Sequence, residues 1–222
     1  MTVSDLEVHV PFHRGAEAFS FWSHGIGVVA ALVGAVWLLV RADGALATTA
    51  FAVYGVTLIA LLSASTAHHA VQTATGSESS GIMRRLDHIS IYLFIAGTYT
   101  PITLLGLSPG WGWAVFGVVW GVAFAGILVK IFAPFAPRWV TSGAYIAMGW
   151  IVVVAIRPVL RAFELDDLLF LLAGGIVYTV GAVGYAMKKP DLWPSRIGFH
   201  GVWHVAVLVG ASLHFVFMVR AL

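Results

Sequence analysis

Seven long stretches of this sequence contain no Asp, Glu, Lys or Arg and consist mainly of apolar side chains. They cover residues 19–40, 47–67, 89–107, 111–129, 139–156, 168–187 and 197–219. About 20 apolar residues in a helix cross the hydrocarbon core of a bilayer. The stretches are continuous rather than alternating, which favours helices over the strands of a barrel. The sequence therefore predicts an all-α membrane protein, a seven-transmembrane helix bundle.

The composition agrees with a membrane location and excludes several classes of function. Charged residues make up 10% of the chain, whereas a soluble domain carries about 25%. The chain has no cysteine, which excludes disulfides and thiolate metal sites. Its formal net charge of +2 is too small to indicate a nucleic-acid partner. We expect a multi-pass protein of the cell membrane whose partner is a membrane lipid.

The domain organisation is simple. Residues 1–18 are polar and are expected to form a cytoplasmic N-terminal tail, and residues 19–222 a single transmembrane domain. Gly117 and Gly121 have the GxxxG spacing at which helices approach closely. We interpret them as contacts within the bundle rather than as a dimer interface, and the sequence leaves the oligomeric state open.

The orientation follows from the Lys and Arg residues between the spans, because cytoplasmic loops carry an excess of them. With the N-terminus inside, the inner segments hold 8 of the 12: Arg14, Arg84, Arg85, Lys130, Arg138, Lys188, Lys189 and Arg196. The outer segments hold the other 4: Arg41, Arg157, Arg161 and Arg220. The predicted topology therefore has the N-terminus in the cytoplasm and the C-terminus outside.

Six of the nine histidines fall in one layer of this topology, at the inner membrane boundary. They are His24, His68, His69, His88, His200 and His204. His200 and His204 have the i, i+4 spacing that places two imidazoles on one helix face, a distance that a zinc ion can bridge. Polar groups within a membrane span are costly and need partners, which favours a metal site over two unrelated histidines.

The other ligands must come from other helices. His69 is the predicted third ligand, and Ser65 lies one turn earlier on the same face. Asp87 opens the third span on the same side of the membrane, either as the N-cap of that helix or as the hydrogen-bond partner of a water on the metal. Three imidazole ligands would leave the fourth position of the metal open, as in a catalytic zinc site. Asp87 as a fourth ligand would instead give a closed structural site. A ligand set of histidines without cysteine favours zinc as the bound metal, and Fe, Ni or Cu are the alternatives.

These motifs resemble the hemolysin III family, the bacterial branch of the progestin and adipoQ receptors. The segments that carry the resemblance are SHGIG from Ser23, STAHH from Ser65, RRLDH from Arg84, IYLFIAGTYTP from Ile91, FHGVWH from Phe199 and LHF from Leu213. The resemblance covers nearly the whole chain. It implies seven helices in the inner membrane of a bacterium, with zinc bound by His69, His200 and His204.

The resemblance also implies roles for two further residues. Asp87 corresponds to the family's acidic residue beside the metal-bound water, and Ser65 to its serine, so both are candidate catalytic residues. The chain departs from the family at Ser20, where Asn is usual, and at Gly201, where Glu is common. Ser20 can keep only part of the hydrogen bonding of Asn, whereas Gly201 removes a polar contact near the metal without removing a ligand.

Three functions fit these features. The first is regulation of membrane lipid state or energetics through zinc-dependent hydrolysis of a lipid amide, as in the ceramidases, at a cytoplasmic-side site. The second is a non-catalytic, receptor-like lipid sensor with a structural zinc ion. The third is a pore-forming hemolysin, which ranks last because the outer halves of the spans lack the polar lining of a pore.

The predicted orientation can be tested with a reporter that is active only in the cytoplasm. We expect activity when the reporter is fused before Met1 and none when it is fused after Leu222, because the excess of Lys and Arg keeps the first segment inside. The reverse pattern would place the histidine layer on the outer face.

Overall fold

The computed structural model describes residues 13–77, 80–133 and 136–222. Within them, seven helical spans are long and apolar enough to cross a membrane. The helices are α1 (Arg14–Arg41), α2 (Gly44–Thr75), α3 (Gly81–Gly106), α4 (Pro109–Phe132), α5 (Arg138–Gly149), α6 (Ile156–Ala162), α7 (Leu165–Met187) and α8 (Gly198–Ala221). A 3₁₀ turn, Ile151–Ala155, joins α5 to α6, and these three elements form the fifth span. The predicted seven-helix fold is confirmed.

Several helices extend beyond the apolar stretches at the predicted inner face. Helix α1 begins at Arg14 rather than at residue 19, α2 continues to Thr75, and α3 begins at Gly81. Residues 1–12 of the predicted tail lie outside the described residues, and residues 14–18 belong to α1. The extensions matter because they place Glu17, His69 and Asp87 on rigid helices instead of loops.

Consecutive spans pack as neighbours, and α8 packs back against α1 to close the bundle. Helix α3 is the most enclosed span and also contacts α8. Helices α2 and α3 approach closely at Gly97, where any Cβ atom would overlap the side chain of Thr57. The hydroxyl of Thr57 donates to the carbonyl of its own helix at Val53, at 2.8 Å. The close contact between Gly97 and Thr57 fixes α2 against α3. Helix α2 carries Ser65 and His69, and α3 carries Asp87.

The fifth span is not the continuous helix that the apolar stretch suggested. Pro158 has no N–H to donate to the carbonyl four residues earlier, and its ring disfavours a helix there. The break occurs just before it, at the 3₁₀ turn. The hydroxyl of Tyr99 donates to the carbonyl of Gly149 at 2.6 Å and accepts from the N–H of Val152 at 3.0 Å. One side chain of α3 thus satisfies two backbone groups that the break releases.

The interpretation of Gly117 and Gly121 as contacts within the bundle is wrong. A Cβ atom added at either position meets no atom within 4 Å, and both residues face outward. The face of α4 that packs inside contains Val115, Val119 and Ala123, so the glycines lie on another face of the helix.

The role of Tyr99 in the fifth span gives a stability prediction. Tyr99→Phe keeps the ring but leaves the carbonyl of Gly149 and the N–H of Val152 without this partner. We expect the free energy of unfolding to fall by about 1–3 kcal/mol, measured by denaturant unfolding in detergent. Tyr92→Phe is the matched control, because the Tyr92 ring packs against Tyr145 and its hydroxyl forms no hydrogen bond with the described residues. Equal effects of the two changes would contradict this role.

Candidate metal centre

Three imidazole rings meet at the predicted inner end of the bundle. His69 from α2 lies with its ring centre 5.0 Å from that of His200 and 4.8 Å from that of His204, both on α8. The His200 and His204 ring centres are 4.8 Å apart. One nitrogen from each ring lies within 4.8 Å of the other two. The structure therefore gathers the three predicted ligands where they could hold a metal ion.

The hydrogen bonding of these rings fits a metal. One ring nitrogen of each histidine is buried and has no hydrogen-bond partner among the described residues: Nε2 of His69, Nε2 of His200 and Nδ1 of His204. A buried polar atom without a partner is costly. Ligands of a tetrahedral zinc ion at ~2.0–2.1 Å lie about 3.4 Å apart, and the three candidate nitrogens lie within 4.8 Å of one another.

Glu17 orients the first of these histidines. Its Oε2 atom lies 2.6 Å from Nδ1 of His69, which donates to the carboxylate. Because Nδ1 carries the proton in that arrangement, Nε2 is left with the lone pair that a metal requires. Metal-binding histidines commonly donate their other N–H to a carboxylate in this way, which fixes the ring and raises its basicity.

Asp87 and Ser65 form the second part of the site. Ser65 lies beside the Asp87 carboxylate, near enough for its hydroxyl to interact with it, and both side chains are buried. The interpretation of Asp87 as a helix N-cap is wrong, because α3 begins earlier and its N-cap is Ser80, whose hydroxyl accepts from the N–H of Met83. Asp87 lies inside α3, on the face that is turned toward α2.

The other histidines of the predicted layer have different surroundings. The ring of His24 stacks on His204 with the centres 3.7 Å apart, and neither of its nitrogens has a partner among the described residues. His68 is buried beside His69. Nδ1 of His88 lies 2.7 Å from the carbonyl of Arg84 on its own helix. The layer therefore holds a central group of three, with His24 stacked against it.

A cavity of about 110 Å³ adjoins this centre and extends into the bundle. His24, His200, His204, Ser65 and Asp87 line it at one end. Its walls are mainly apolar and aromatic: Leu61, Ile91, Phe94, Ile95, Tyr99, Tyr145, Ile146, Trp150, Tyr178, Trp203 and Val207. His24, His200, His204 and Asp87 thus face one largely apolar space.

His214 lies at the far end of the cavity. Its Nε2 donates to the carbonyl of Leu171 on α7 at 3.1 Å, and its ring packs edge-on against Tyr178. It lies ten residues after His204 on α8, about 15 Å along the helix axis. It is therefore too far away to bind the same ion.

The fold and the site together define a class: a seven-helix, multi-pass cell-membrane protein with a buried histidine centre that opens onto an apolar cavity. The chain belongs to the haemolysin-III related family, whose model matches residues 12–215. This confirms the resemblance seen in the motifs.

The relatives include bacterial and animal proteins. The chain is 37% identical over 198 residues to "Hemolysin-3" of Bacillus cereus, covering 87% of this chain and 85% of that protein. It is 34% identical over 198 residues to "Hemolysin-3 homolog" of Bacillus subtilis, covering 87% and 88%. It is 26% identical over 209 residues to "Monocyte to macrophage differentiation factor" of Homo sapiens, covering 89% and 81%.

Two residues of the centre were not assigned roles from the sequence. Glu17 lies outside the apolar stretch 19–40, and only the earlier start of α1 brings its carboxylate to His69. His24 was placed in the histidine layer, but its stacking on His204 depends on how α1 packs against α8. The helical spacing of Glu17 and His24, seven residues or about two turns, was the available signal.

The contact between Glu17 and His69 predicts the effect of a single substitution on metal affinity. Glu17→Gln keeps the shape but removes the charged acceptor from His69, and loss of such a partner typically weakens metal binding 10–100-fold. Competition between the purified protein and a chelator for Zn²⁺ measures this. Glu164→Gln is the matched control, because Glu164 is exposed and forms no side-chain cap. Unchanged affinity in Glu17→Gln would contradict the role assigned to Glu17.

Proposed function

We propose that this protein binds a zinc ion with His69, His200 and His204 and hydrolyses the amide of a membrane lipid, thereby regulating membrane lipid state. The observation that carries the proposal is the shared cavity. His24, His200, His204 and Asp87 line one end of it, and most of its other walls are apolar or aromatic.

The donor set supports zinc. Three imidazoles from two helices suit a borderline metal ion, and three protein ligands leave the open position that is typical of catalytic zinc. A zinc ion held there would polarise a carbonyl and lower the pKa of a bound water toward ~7. The contribution of the chain is to fix the three rings, with Glu17 holding His69 in the tautomer that leaves Nε2 free.

The cavity walls support a lipid as the ligand. The cavity lies within the bundle, so an apolar molecule can reach it from the membrane more easily than a polar solute can. Phe94, Ile95 and Val207 offer contacts to hydrocarbon, and Asp87 and the histidines offer polar contacts at the end. A volume of about 110 Å³ suits part of an acyl chain, with the polar group of the lipid near the histidines.

Asp87 is the proposed proton acceptor. It is buried, it lines the cavity, and Ser65 lies beside it, where the hydroxyl can donate to the carboxylate. A hydrogen bond from Ser65 would hold the carboxylate in one orientation. The carboxylate can then take a proton from a water in the cavity and return it to the leaving nitrogen of the amide, the usual exchange of general base and general acid. Ser65 therefore acts by positioning Asp87.

A specific observation favours lipid sensing as a second candidate function. Gly149 and Trp150, at the break in the fifth span, line the same cavity as the histidines, as does Tyr99. A lipid in the cavity would contact the most irregular segment of the described spans. Binding there could shift the arrangement of α5 relative to α6 without turnover, and the zinc ion would then be structural.

Asp87→Asn separates these functions. If Asp87 is the proton acceptor, Asn keeps the shape but loses the basic oxygen, and lipid-amide hydrolysis should fall about 10²–10⁴-fold while zinc content stays unchanged. Hydrolysis of lipid amides and zinc content are measured on the same preparations. Asp167→Asn is the matched control, since Asp167 pairs with Arg220, remote from the site.

Three other outcomes would redirect the proposal. Loss of zinc together with thermal stability in Asp87→Asn would make Asp87 a fourth ligand of a closed site. Turnover that Asp87→Asn leaves intact would remove Asp87 from the mechanism. A wild-type protein that holds zinc but hydrolyses no lipid amide would favour sensing.

A further inference from the structure

Two polar ring side chains meet at the far end of the cavity, in the interface between α7 and α8. They are Tyr178 of α7 and His214 of α8, and both residues line the cavity. Their rings pack edge-on with the centres 5.3 Å apart. They are separate from the candidate metal centre, because His214 follows His204 by ten residues, about 15 Å along the helix axis.

Each of the two rings is seated on a glycine of the opposite helix. Any Cβ atom at Gly210 of α8 would overlap the ring of Tyr178, and any Cβ atom at Gly174 of α7 would overlap the ring of His214. Each glycine lies four residues before the ring that its own helix contributes, so the two pairs are arranged reciprocally. The close packing of α7 on α8 therefore fixes both rings in the cavity wall.

The hydrogen bonding of His214 determines what its free nitrogen can bind. Nε2 lies 3.1 Å from the carbonyl of Leu171. A carbonyl can only accept, so Nε2 carries the proton of the neutral ring and Nδ1 is left with a lone pair. Nδ1 is buried and has no partner among the described residues. A ligand group that pairs with Nδ1 has to be a hydrogen-bond donor.

Tyr178 supplies the complementary group. Its hydroxyl oxygen is also buried without a partner in the part of the chain that the structure describes, and a phenol can donate as well as accept. A hydroxyl group of a ligand could donate to Nδ1 of His214 and accept from Tyr178 at the same time. A carbonyl could make only the second of these hydrogen bonds, and a hydrocarbon chain neither. The pair therefore favours a hydroxyl group.

We propose that Tyr178 and His214 form a hydroxyl-binding subsite, which selects lipids that carry a hydroxyl group on the hydrocarbon chain. The proposal rests on the proposed function in one respect, that a lipid occupies the cavity with its polar group near the histidine centre. It does not depend on hydrolysis. A site built to bind a hydroxyl discriminates against the analogue without one, because its buried polar atoms are then left unpaired.

Binding of two fatty acids by the purified full-length protein tests the proposal without turnover, because neither probe is an amide. The probes are stearate and a hydroxystearate with its hydroxyl group in mid-chain. Each competes with radiolabelled stearate for the protein in the same detergent. The quantity compared is the ratio of the two affinities in the wild type and in each variant, so that partitioning of the fatty acids into micelles cancels.

Tyr178→Phe keeps the ring on Gly210 and removes only the hydroxyl. One hydrogen bond to a ligand contributes a factor of about five in affinity. We therefore expect Tyr178→Phe to lower the preference for hydroxystearate over stearate about fivefold, and His214→Phe to lower it by a similar factor. If His214→Phe does not fold because the carbonyl of Leu171 loses its partner, Tyr178→Phe still decides the question.

Tyr92→Phe is the matched control. The ring of Tyr92 is also seated on a glycine of a neighbouring helix, Gly126 of α4, but Tyr92 lies outside the cavity lining that the structure describes. Its preference ratio should equal that of the wild type.

The possible failures can be told apart. If Tyr178→Phe leaves the ratio as in the wild type, or if Tyr92→Phe lowers it equally, the subsite is overturned, and a water molecule rather than a lipid hydroxyl would pair with the two rings. The lipid assignment of the cavity stands in that case. If neither fatty acid binds the wild type, the lipid assignment is overturned and the subsite with it.

Discussion

The structure depends on the cost of leaving a polar group unpaired away from water. In hydrocarbon each backbone N–H and C=O must find a partner within the protein, which is why seven apolar stretches become seven helices. The same cost explains Tyr99, whose hydroxyl bonds with Gly149 and Val152 at the break in the fifth span. The same cost bears on the histidine centre, because three of its buried ring nitrogens have no partner among the described residues and lie where they could hold a metal ion.

The centre and the cavity follow from where α2, α3 and α8 meet. The i, i+4 spacing on α8 directs two imidazoles inward, and Ser65 and His69, also i, i+4, place a hydroxyl and an imidazole on one face of α2. The close approach of α2 and α3 at Gly97 lets Ser65 reach Asp87 across the helix interface. Ser65, Asp87 and the histidines of the centre thereby lie at one end of a largely apolar cavity, an arrangement suited to a lipid with a polar group at the end of a hydrocarbon chain.

Much of this could be predicted from the sequence, because membrane helices and the i, i+4 spacing of histidines depend on local residue order. The seven spans and the gathering of His69, His200 and His204 follow from such patterns. What escaped prediction depends on packing or on exact helix ends. Glu17 reaches His69 only because α1 starts before its apolar stretch, and the outward orientation of Gly117 depends on which face of α4 its neighbours cover.

The central claim is that His69, His200 and His204 bind one metal ion through their unpartnered ring nitrogens. X-ray absorption spectroscopy at the zinc edge on the purified protein tests it most directly. The account predicts one zinc ion per chain with three imidazole nitrogens at ~2.0–2.1 Å and the outer-shell scattering of histidine rings. A purified protein that takes up no zinc, or a zinc spectrum without imidazole scattering, would contradict it.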